Sequence, residues 1–238
     1  MNDTKRVLLK LSGEALAADA GRGLDFPFIH TVCAAVKDCA AQGVQVGVVV
    51  GGGNFWRGLK DGGDKMERSR ADQMGMLATV INSLALQDVL EQQGQQAKVL
   101  TAQPMGNIAE PYSRPLADRY LSEGKVVIFG GGTGNPYFST DTAAVLRAVE
   151  IGADMILLAK NIDGVYSADP RKDPLAVKYD SVTYEEVLAK QLQVMDLPAT
   201  SLALENKIPA VVFPLADPNN ILRAIRGEAV GTKVTLLT

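Results

Sequence analysis

Two stretches of this chain have the composition of an anion cradle. Val48-Val49-Val50 runs into Gly51-Gly52-Gly53-Asn54, and Val127-Ile128-Phe129 runs into Gly130-Gly131-Gly132-Thr133-Gly134-Asn135-Pro136. Each reads as an apolar strand ending in glycines. Backbone N–H groups of glycine can approach a phosphate closely, and a helix starting just beyond adds positive potential. Tight strand-to-helix turns use glycines too, but the repetition of the device favours ligand binding. Lys10 lies near the end of another apolar run, Val7 to Leu11. An ammonium there is costly unless it meets an anion or reaches water. Arg57 follows the first glycine run and offers a planar fork for a second anion. Thr133 to Asp141 is dense in small hydrogen-bonding side chains, with Tyr137 and Phe138 available for packing or stacking, and Asp141 falls where a helix N-cap would sit.

His30 is the only histidine, and it lies in the first turn of a helical pattern away from both glycine runs. That argues against a Ser-His-Asp triad and against a histidine-based metal site. The chain has no G-x-x-x-x-G-K-[ST], no G-x-G-x-x-G, and no Asp-Phe-Gly signature of protein kinases. Chemistry must therefore run on Lys, Arg, Asp and backbone N–H groups. Those are the tools of phosphoryl transfer, where positioning and charge stabilisation supply most of the catalysis.

The elements that would carry these residues alternate. Short strands are expected over Val7–Leu11, Gln45–Val50, Ala97–Leu100, Lys125–Phe129, Met155–Leu158 and Ala210–Phe213. Helices are expected over Phe26–Gln42, from about Arg70 to Glu91, over Pro115–Glu123, Thr140–Ile151, Val187–Lys190 and Leu197–Glu205, and after Pro218. Asp25, Pro27 and Gly43 are start and stop signals for the first of these. Continuously apolar strands alternating with helices predict an α/β fold, a mainly parallel sheet covered on both faces. In such a sheet, loops at the carboxyl ends of the strands line the ligand crevice. The stretch from Asn161 to Asp180 is the longest irregular piece, either a joint between lobes or a functional loop. On the long helix, Met74, Leu77, Ala78, Ile81, Leu84, Ala85 and Val89 form a set broader than one core-facing stripe needs. Either its own sheet buries them all, or part of that surface meets a second subunit.

The 238 residues suit one large domain or two small ones. With Lys+Arg 24 against Asp+Glu 27 the net charge is −3, and the pI is near 5.3, which argues against a duplex-binding protein. Apolar residues at 47% and charged residues at 21% are ordinary for a globular chain. Cys33 and Cys39 share one expected helix, about 9 Å apart along its axis, beyond disulfide reach. Two reduced thiols are expected, as in the cytosol. Lys5-Arg6 leads straight into a strand rather than a signal peptide, the last residues carry no lipidation signal, and no apolar run reaches the ~20 residues of a membrane span. A cytoplasmic protein with neither membrane nor nucleic-acid partner is the expectation.

Taken together, Lys10-Leu11-Ser12-Gly13-Glu14-Ala15, Gly51-Gly52-Gly53-Asn54, Asp72 to Thr79, Gly132 to Phe138, Asp163-Gly164-Val165-Tyr166, Ala168-Asp169-Pro170 and Val194 to Leu197 resemble the amino acid kinase family. The match spans essentially the whole chain. The Asp72–Thr79 and Thr133–Phe138 runs are similar to those of members that phosphorylate UMP. The resemblance implies a three-layer αβα sandwich, a single domain over 1–238 with an acceptor lobe near 1–150 and an ATP lobe near 151–238. It implies the reaction ATP + UMP → ADP + UDP with Mg²⁺, in pyrimidine nucleotide synthesis. By match to the family pattern, Lys10, Leu11, Ser12, Gly13, Gly53 and Arg57 would contact ATP phosphates, and Tyr166 and Asp169 the ATP nucleoside. Before Asp163 relatives differ, so either Lys160 or Asn161 would contact ATP. Gly52, Asp72, Thr133, Gly134, Asn135, Pro136, Tyr137, Phe138, Ser139 and Thr140 would hold UMP. Lys10, Arg57 and Asp141 would form the catalytic set, Asp141 positioning the lysine. Ala18, Asp19, Ala20, Gly21, Arg22 and Gly23 match a segment that binds regulatory GTP in some members. The family also implies a homohexamer and UTP inhibition. The alternatives are a member with a carboxylate or carbamate acceptor, such as acetylglutamate or carbamate kinase, and a non-enzymatic anion-binding protein on this fold. Against them stand the Thr133–Asp141 run and the joint presence of Lys10, Arg57 and Asp141.

Overall fold

The computed structural model describes residues 6–236, and for Asp19, Leu59 and Lys60 the backbone alone. Eleven strands and seven α-helices alternate along this span. The strands of the main sheet are β1 (Arg6–Leu11), β2 (Gln45–Val50), β3 (Ala97–Thr101), β4 (Glu110–Pro111), β5 (Val126–Gly130), β6 (Met155–Lys160), β9 (Ser181–Thr183), β10 (Ala210–Pro214) and β11 (Thr232–Thr235). They lie in the order β4-β3-β5-β2-β1-β6-β10-β11-β9. Every pairing is parallel except β10 with β11. β7 (Val165–Tyr166) and β8 (Lys178–Tyr179) form a separate short hairpin inside the stretch expected to be irregular.

Alternation of side chains across the sheet explains the three layers. Val7, Leu9 and Leu11 of β1 face one layer, with Val48 and Val50 of β2 and Leu157 of β6. That layer is covered by α1 (Phe26–Ala41), α2 (Arg68–Gln92) and α7 (Asn220–Ile225). Leu8, Val49 and Leu158 face the other way, onto α3 (Arg114–Ser122), α4 (Thr140–Glu150), α5 (Tyr184–Ala189) and α6 (Leu197–Glu205). Leu8 and Leu9 are both fully buried, so β1 has no solvent face. This is why the strands read as unbroken apolar runs.

The expected helices form, with shifts at their ends that have local causes. Asp25 caps α1 by accepting from Phe28 N at 2.9 Å. α2 begins two residues earlier than the apolar spacing implies. Its cap is Glu67, which accepts from Ser69 N and Arg70 N and is an uncommon cap residue. α5 begins at Tyr184 rather than Val187, because Thr183 and Glu186 form a reciprocal capping box. β4, β9 and β11 are too short and polar to stand out as strands, yet β11 pairs antiparallel with β10 and so carries β9 onto the sheet.

Cys33 and Cys39 are free thiols on α1, at 1% and 0% exposure. Burial pushes Cys33 up to about 12, and burial with a smaller push from Asp38 does the same for Cys39. Neither thiol should react with an aromatic disulfide reagent at pH 8 until denaturant is added, when both should react. The sign with pH follows from linkage. A raised native value means that the unfolded chain releases protons first, so stability from this source is full below the ordinary thiol range and falls as pH rises through it. Replacing both cysteines with alanine should flatten that alkaline decline in the denaturation midpoint.

Candidate active site

In a parallel sheet the carboxyl ends of the strands emerge along one edge, and here that edge collects the charged residues. Lys10 is the penultimate residue of β1, between Val49 of β2 and Leu158 of β6. Lys160 ends β6 on the same edge. Asp141 enters from the first turn of α4, with its Oδ1 2.5 Å from Lys10 Nζ and its Oδ2 3.8 Å from Lys160 Nζ. Lys160 also donates to the carbonyl of Val194. Asp141 is not the helix cap, contrary to its expected bland role. Ser139 is the cap, accepting from Asp141 N at 3.0 Å and Thr142 N at 3.1 Å. The carboxylate of Asp141 is thereby left for the lysines, at a helix end that favours negative charge.

Burial pushes the Asp141 carboxyl up, but the Lys10 ammonium and then Lys160 outweigh it, and the net shift is below the usual carboxylate range. Burial lowers Lys160, Asp141 opposes that, Lys10 adds to it and Asp196 opposes it. Asp196 is fixed in turn: it caps α6 through Ala199 N and accepts from Thr142 Oγ1 at 3.1 and 3.2 Å. Two lysines, one carboxylate between them and a second carboxylate behind form a charged floor. It lies in a cleft of about 680 Å³. Ser12, Asn161, Tyr166 and Asp169 line the same cleft, so most of the residues assigned to ATP come together. Leu11 differs: its side chain is in the core and its carbonyl accepts from Gly51 N at 3.0 Å.

The first glycine turn lies against α2. A Cβ at Gly52 would sit 2.7 Å from the Gly75 carbonyl and 2.8 Å from the Ala78 Cβ, so close helix packing by itself demands glycine there. A Cβ at Gly13 would strike the Gly51 carbonyl, which brings the end of β1 tight against the turn. Gly53 lies beside Arg57, whose guanidinium pairs with Glu14. The second glycine turn is tied to the same helix, because Gly131 N donates to Thr79 Oγ1 at 2.8 Å. Asp72, near the start of α2, accepts from Arg68 Nε and from Tyr137 N, both at 2.8 Å. Tyr137 is held at φ 71°, unusual for a side-chain-bearing residue, with Arg68 5.3 Å over its ring. Tyr137 and Phe138 are both largely exposed.

A second cavity of about 330 Å³ lies beside this loop, lined by Met76, Gln103, Gly134 and Pro136 among others. Gly52, Gly53, Arg57 and Asp72 line neither cavity. Thr133 Oγ1 accepts from Asn135 N, and the side chain of Ser139 is spent on the α4 cap. Thr140 opens α4. Ala18 has an unusual backbone (φ 42°), and Gly21 and Gly23 are in the left-handed region with open space around them, while Arg22 is exposed. Only the backbone of Asp19 is described in that segment. His30 is exposed and within 3.3 Å of Gln93 Nε2, away from both cavities. Sequence reading missed the contacts of Thr79 with Gly131 N, of Asp196 with Thr142 Oγ1, and of Gln103, whose Nε2 donates to the Gly134 carbonyl at 2.6 Å. Of these only Asp196 carried a local signal, an acidic residue just before Leu197-Pro198 at a helix start.

Asp141→Asn keeps the shape and removes the charge that both lysines face. Breaking one side of such a buried pair costs about 3–5 kcal/mol, read as a lower denaturant midpoint at pH 7. Because the native carboxyl is depressed, its stabilising effect is present above the ordinary carboxylate value and is lost as pH falls through the native one. The gap between wild type and variant should therefore close on acidification below about pH 4.

Residues 5–214 match the family model described as the amino acid kinase family. Among solved structures, a UMP kinase from Bacillus anthracis superposes with a TM-score of 0.93 at 39% identity, covering 98% of this chain and 96% of that one. A UMP kinase from Ureaplasma parvum gives 0.92 at 35% identity, with 98% and 99% covered. A uridylate kinase from Archaeoglobus fulgidus gives 0.75 at 32% identity, with 96% and 99% covered. A lysine-aspartate floor at the carboxyl edge of a three-layer sandwich, matched along nearly its whole length, places this chain in the amino acid kinase family.

Proposed function

We propose that this chain transfers the γ-phosphoryl group of ATP to UMP, giving ADP and UDP, and so supplies pyrimidine nucleotides. The observation that carries the reading is the Lys10–Asp141–Lys160 floor of the larger cleft. Two polyanions must meet at the transferring phosphoryl group, and their repulsion is the main barrier to alignment. Lys10 and Lys160 offset it, Asp141 orients both lysines, and Arg57 exchanges Glu14 for a phosphate. The second phosphate pKa lies near 6, so the UMP phosphate is mostly dianionic at pH 7 and needs no general base. This chemistry accommodates a site without histidine.

ATP occupies the larger cleft, with Lys10 to Gly13, Gly53 and Arg57 at its phosphates and Lys160, Asn161, Tyr166 and Asp169 around the rest. UMP lies across Gly52, Asp72 and Thr133 to Thr140. The acceptor lobe then corresponds to about 1–150 and the ATP lobe to about 151–238. Mg²⁺ enters on the nucleotide. Asp141 faces two lysine ammoniums, which do not ligate a cation, so the nucleotide phosphates would supply most of the oxygen ligands of Mg²⁺. The likeness to UMP kinases supports this acceptor over the carboxylate or carbamate of other family members.

The proposal extends to assembly and control. Met74, Leu77, Ile81 and Leu84 leave an exposed apolar face on α2, which suits a self-complementary contact in a homohexamer built from dimers. GTP activation through Ala18 to Gly23, UTP feedback and a cytoplasmic location complete the reading. No helix among the described residues is long and apolar enough to cross a membrane.

A coupled ADP-release assay with UMP, CMP, dUMP, carbamate and N-acetylglutamate tests the acceptor. UMP should give the highest kcat/KM, and Lys10→Met should cut kcat by roughly 10²–10³, the scale for one preorganised charge stabiliser. Turnover confined to a carboxylate acceptor would replace the reading. Light scattering over a dilution series should give a mass well above the 25.3 kDa protomer, and Ile81→Glu should lower that mass while circular dichroism stays unchanged.

A further inference from the structure

We propose that Asn82, with Asn54, is a positioning residue of the phosphoryl-transfer site: a buried amide pair that aims the Gly52 N–H at the reacting phosphates. The inference deepens the kinase reading and rests on it. Asn82 lies on α2 at 0% exposure, and Asn54 follows the first glycine turn at 1%. Each amide donates to the other: Asn54 Nδ2 to Asn82 Oδ1 at 2.9 Å, and Asn82 Nδ2 to Asn54 Oδ1 at 2.7 Å. The remaining Nδ2 protons go outward to two backbone carbonyls, Gly51 at 2.6 Å from Asn82 and Gly23 at 2.7 Å from Asn54. All four amide protons are used. Flipping either amide would put oxygen against oxygen, so the carbonyls fix both orientations.

The geometry of one peptide unit links this pair to function. The Gly51 carbonyl and the Gly52 N–H belong to the same peptide, which is trans, as are all those described. In a trans peptide these two groups point in opposite directions. Holding the Gly51 carbonyl on Asn82 therefore turns the Gly52 N–H away from α2. Among the described residues that N–H has no acceptor, and neither does the N–H of Gly53. A buried amide thus presents a backbone donor on the side away from the helix. Nothing about packing requires an amide here. A leucine at position 82 would fill the space, but it would leave the Gly51 carbonyl and the Asn54 amide short of partners.

Asn54 adds a second tie. Its own carbonyl accepts from Gly23 N at 3.1 Å while its side chain donates to Gly23 O. The Glu14–Ala20 turn, which carries the partner of Arg57, is therefore anchored to the same point just beyond its end. Displacement of the amide pair would move the glycine turn and this segment together.

The test compares Asn82→Ala with Leu86→Ala, a core truncation one turn along α2. Both are measured for melting temperature, kcat and KM. Asn82→Ala should lower kcat about 10- to 100-fold, the scale for misplacing a reacting group by about 1 Å. Leu86→Ala should lose similar or greater stability and keep kcat within about twofold of wild type at a temperature where it is folded. Asn54→Ala and Asn82→Ser should fall between wild type and Asn82→Ala. Wild-type kcat in folded Asn82→Ala would overturn the positioning role, and so would an equal kcat loss in Leu86→Ala. If all the Asn82 and Asn54 variants were unfolded at the assay temperature, the pair would be a folding element and the inference would fail. Absence of UMP phosphorylation in the wild type would instead defeat the kinase reading itself.

Discussion

A buried lysine is tolerable at the end of β1 only because Asp141 meets it. Lys10 is 9% exposed, in the middle strand of a sheet covered on both faces. Left alone, such a charge would cost several kcal/mol in desolvation. The ion pair lifts that constraint and transfers it to α4, whose N-terminus must then arrive at one place and angle. Ser139 sets that arrival by capping the helix two residues before Asp141. Lys160 and, through Thr142, Asp196 are drawn into the same cluster. One electrostatic requirement thus brings together β1, β6, α4 and the start of α6.

The parallel sheet makes this convergence possible. Strands far apart in sequence deliver their carboxyl ends to one edge, so Lys10 of β1 and Lys160 of β6 line one cleft, with the glycine turns after β2 and β5 on the same edge. The helix α2 then acts as a bracket for the loops. Over successive turns it meets Tyr137 N through Asp72, Gly131 N through Thr79 and the Gly51 carbonyl through Asn82. Its polar interior is consistent with this work: Thr79, Asn82 and Ser83 are buried on a helix that also carries exposed Leu77 and Ile81. A helix placed only to cover a sheet would show the reverse pattern.

Order in the fold and order in the site arise from different physics. The strands and most helices follow from local rules that a single window of residues can display. Unbroken valine and leucine runs require burial on both faces, Asp25 with Pro27 starts α1, and Gly43 ends it. The glycine turns, Lys10 and Asp141 were legible as chemistry for the same reason, since their residue types are costly or unusual where they stand. β9 and β11 were not legible, because a few mixed residues gain strand character only from the neighbour they pair with. Glu67 as a cap and Thr183 with Glu186 as a capping box were weaker signals of the same local kind.

The sequence by itself determined the layered α/β architecture, the sheet edge where the charged residues and glycine turns gather, and the class of chemistry. Hydrophobic period, glycine placement and the shortage of histidine are all properties of the chain written in one dimension. Tertiary structure alone decided which side chains hold which. The pairing of Asn54 with Asn82, the hold of Thr79 on Gly131, and the freeing of Asp141 from its cap position join residues 28, 52 and 131 positions apart, taking Lys10 as the partner of Asp141. Asparagine and threonine inside a helical pattern carry no sign of their partners. A hydrogen bond depends on distance and direction within a few tenths of an ångström, and only the packed fold supplies those.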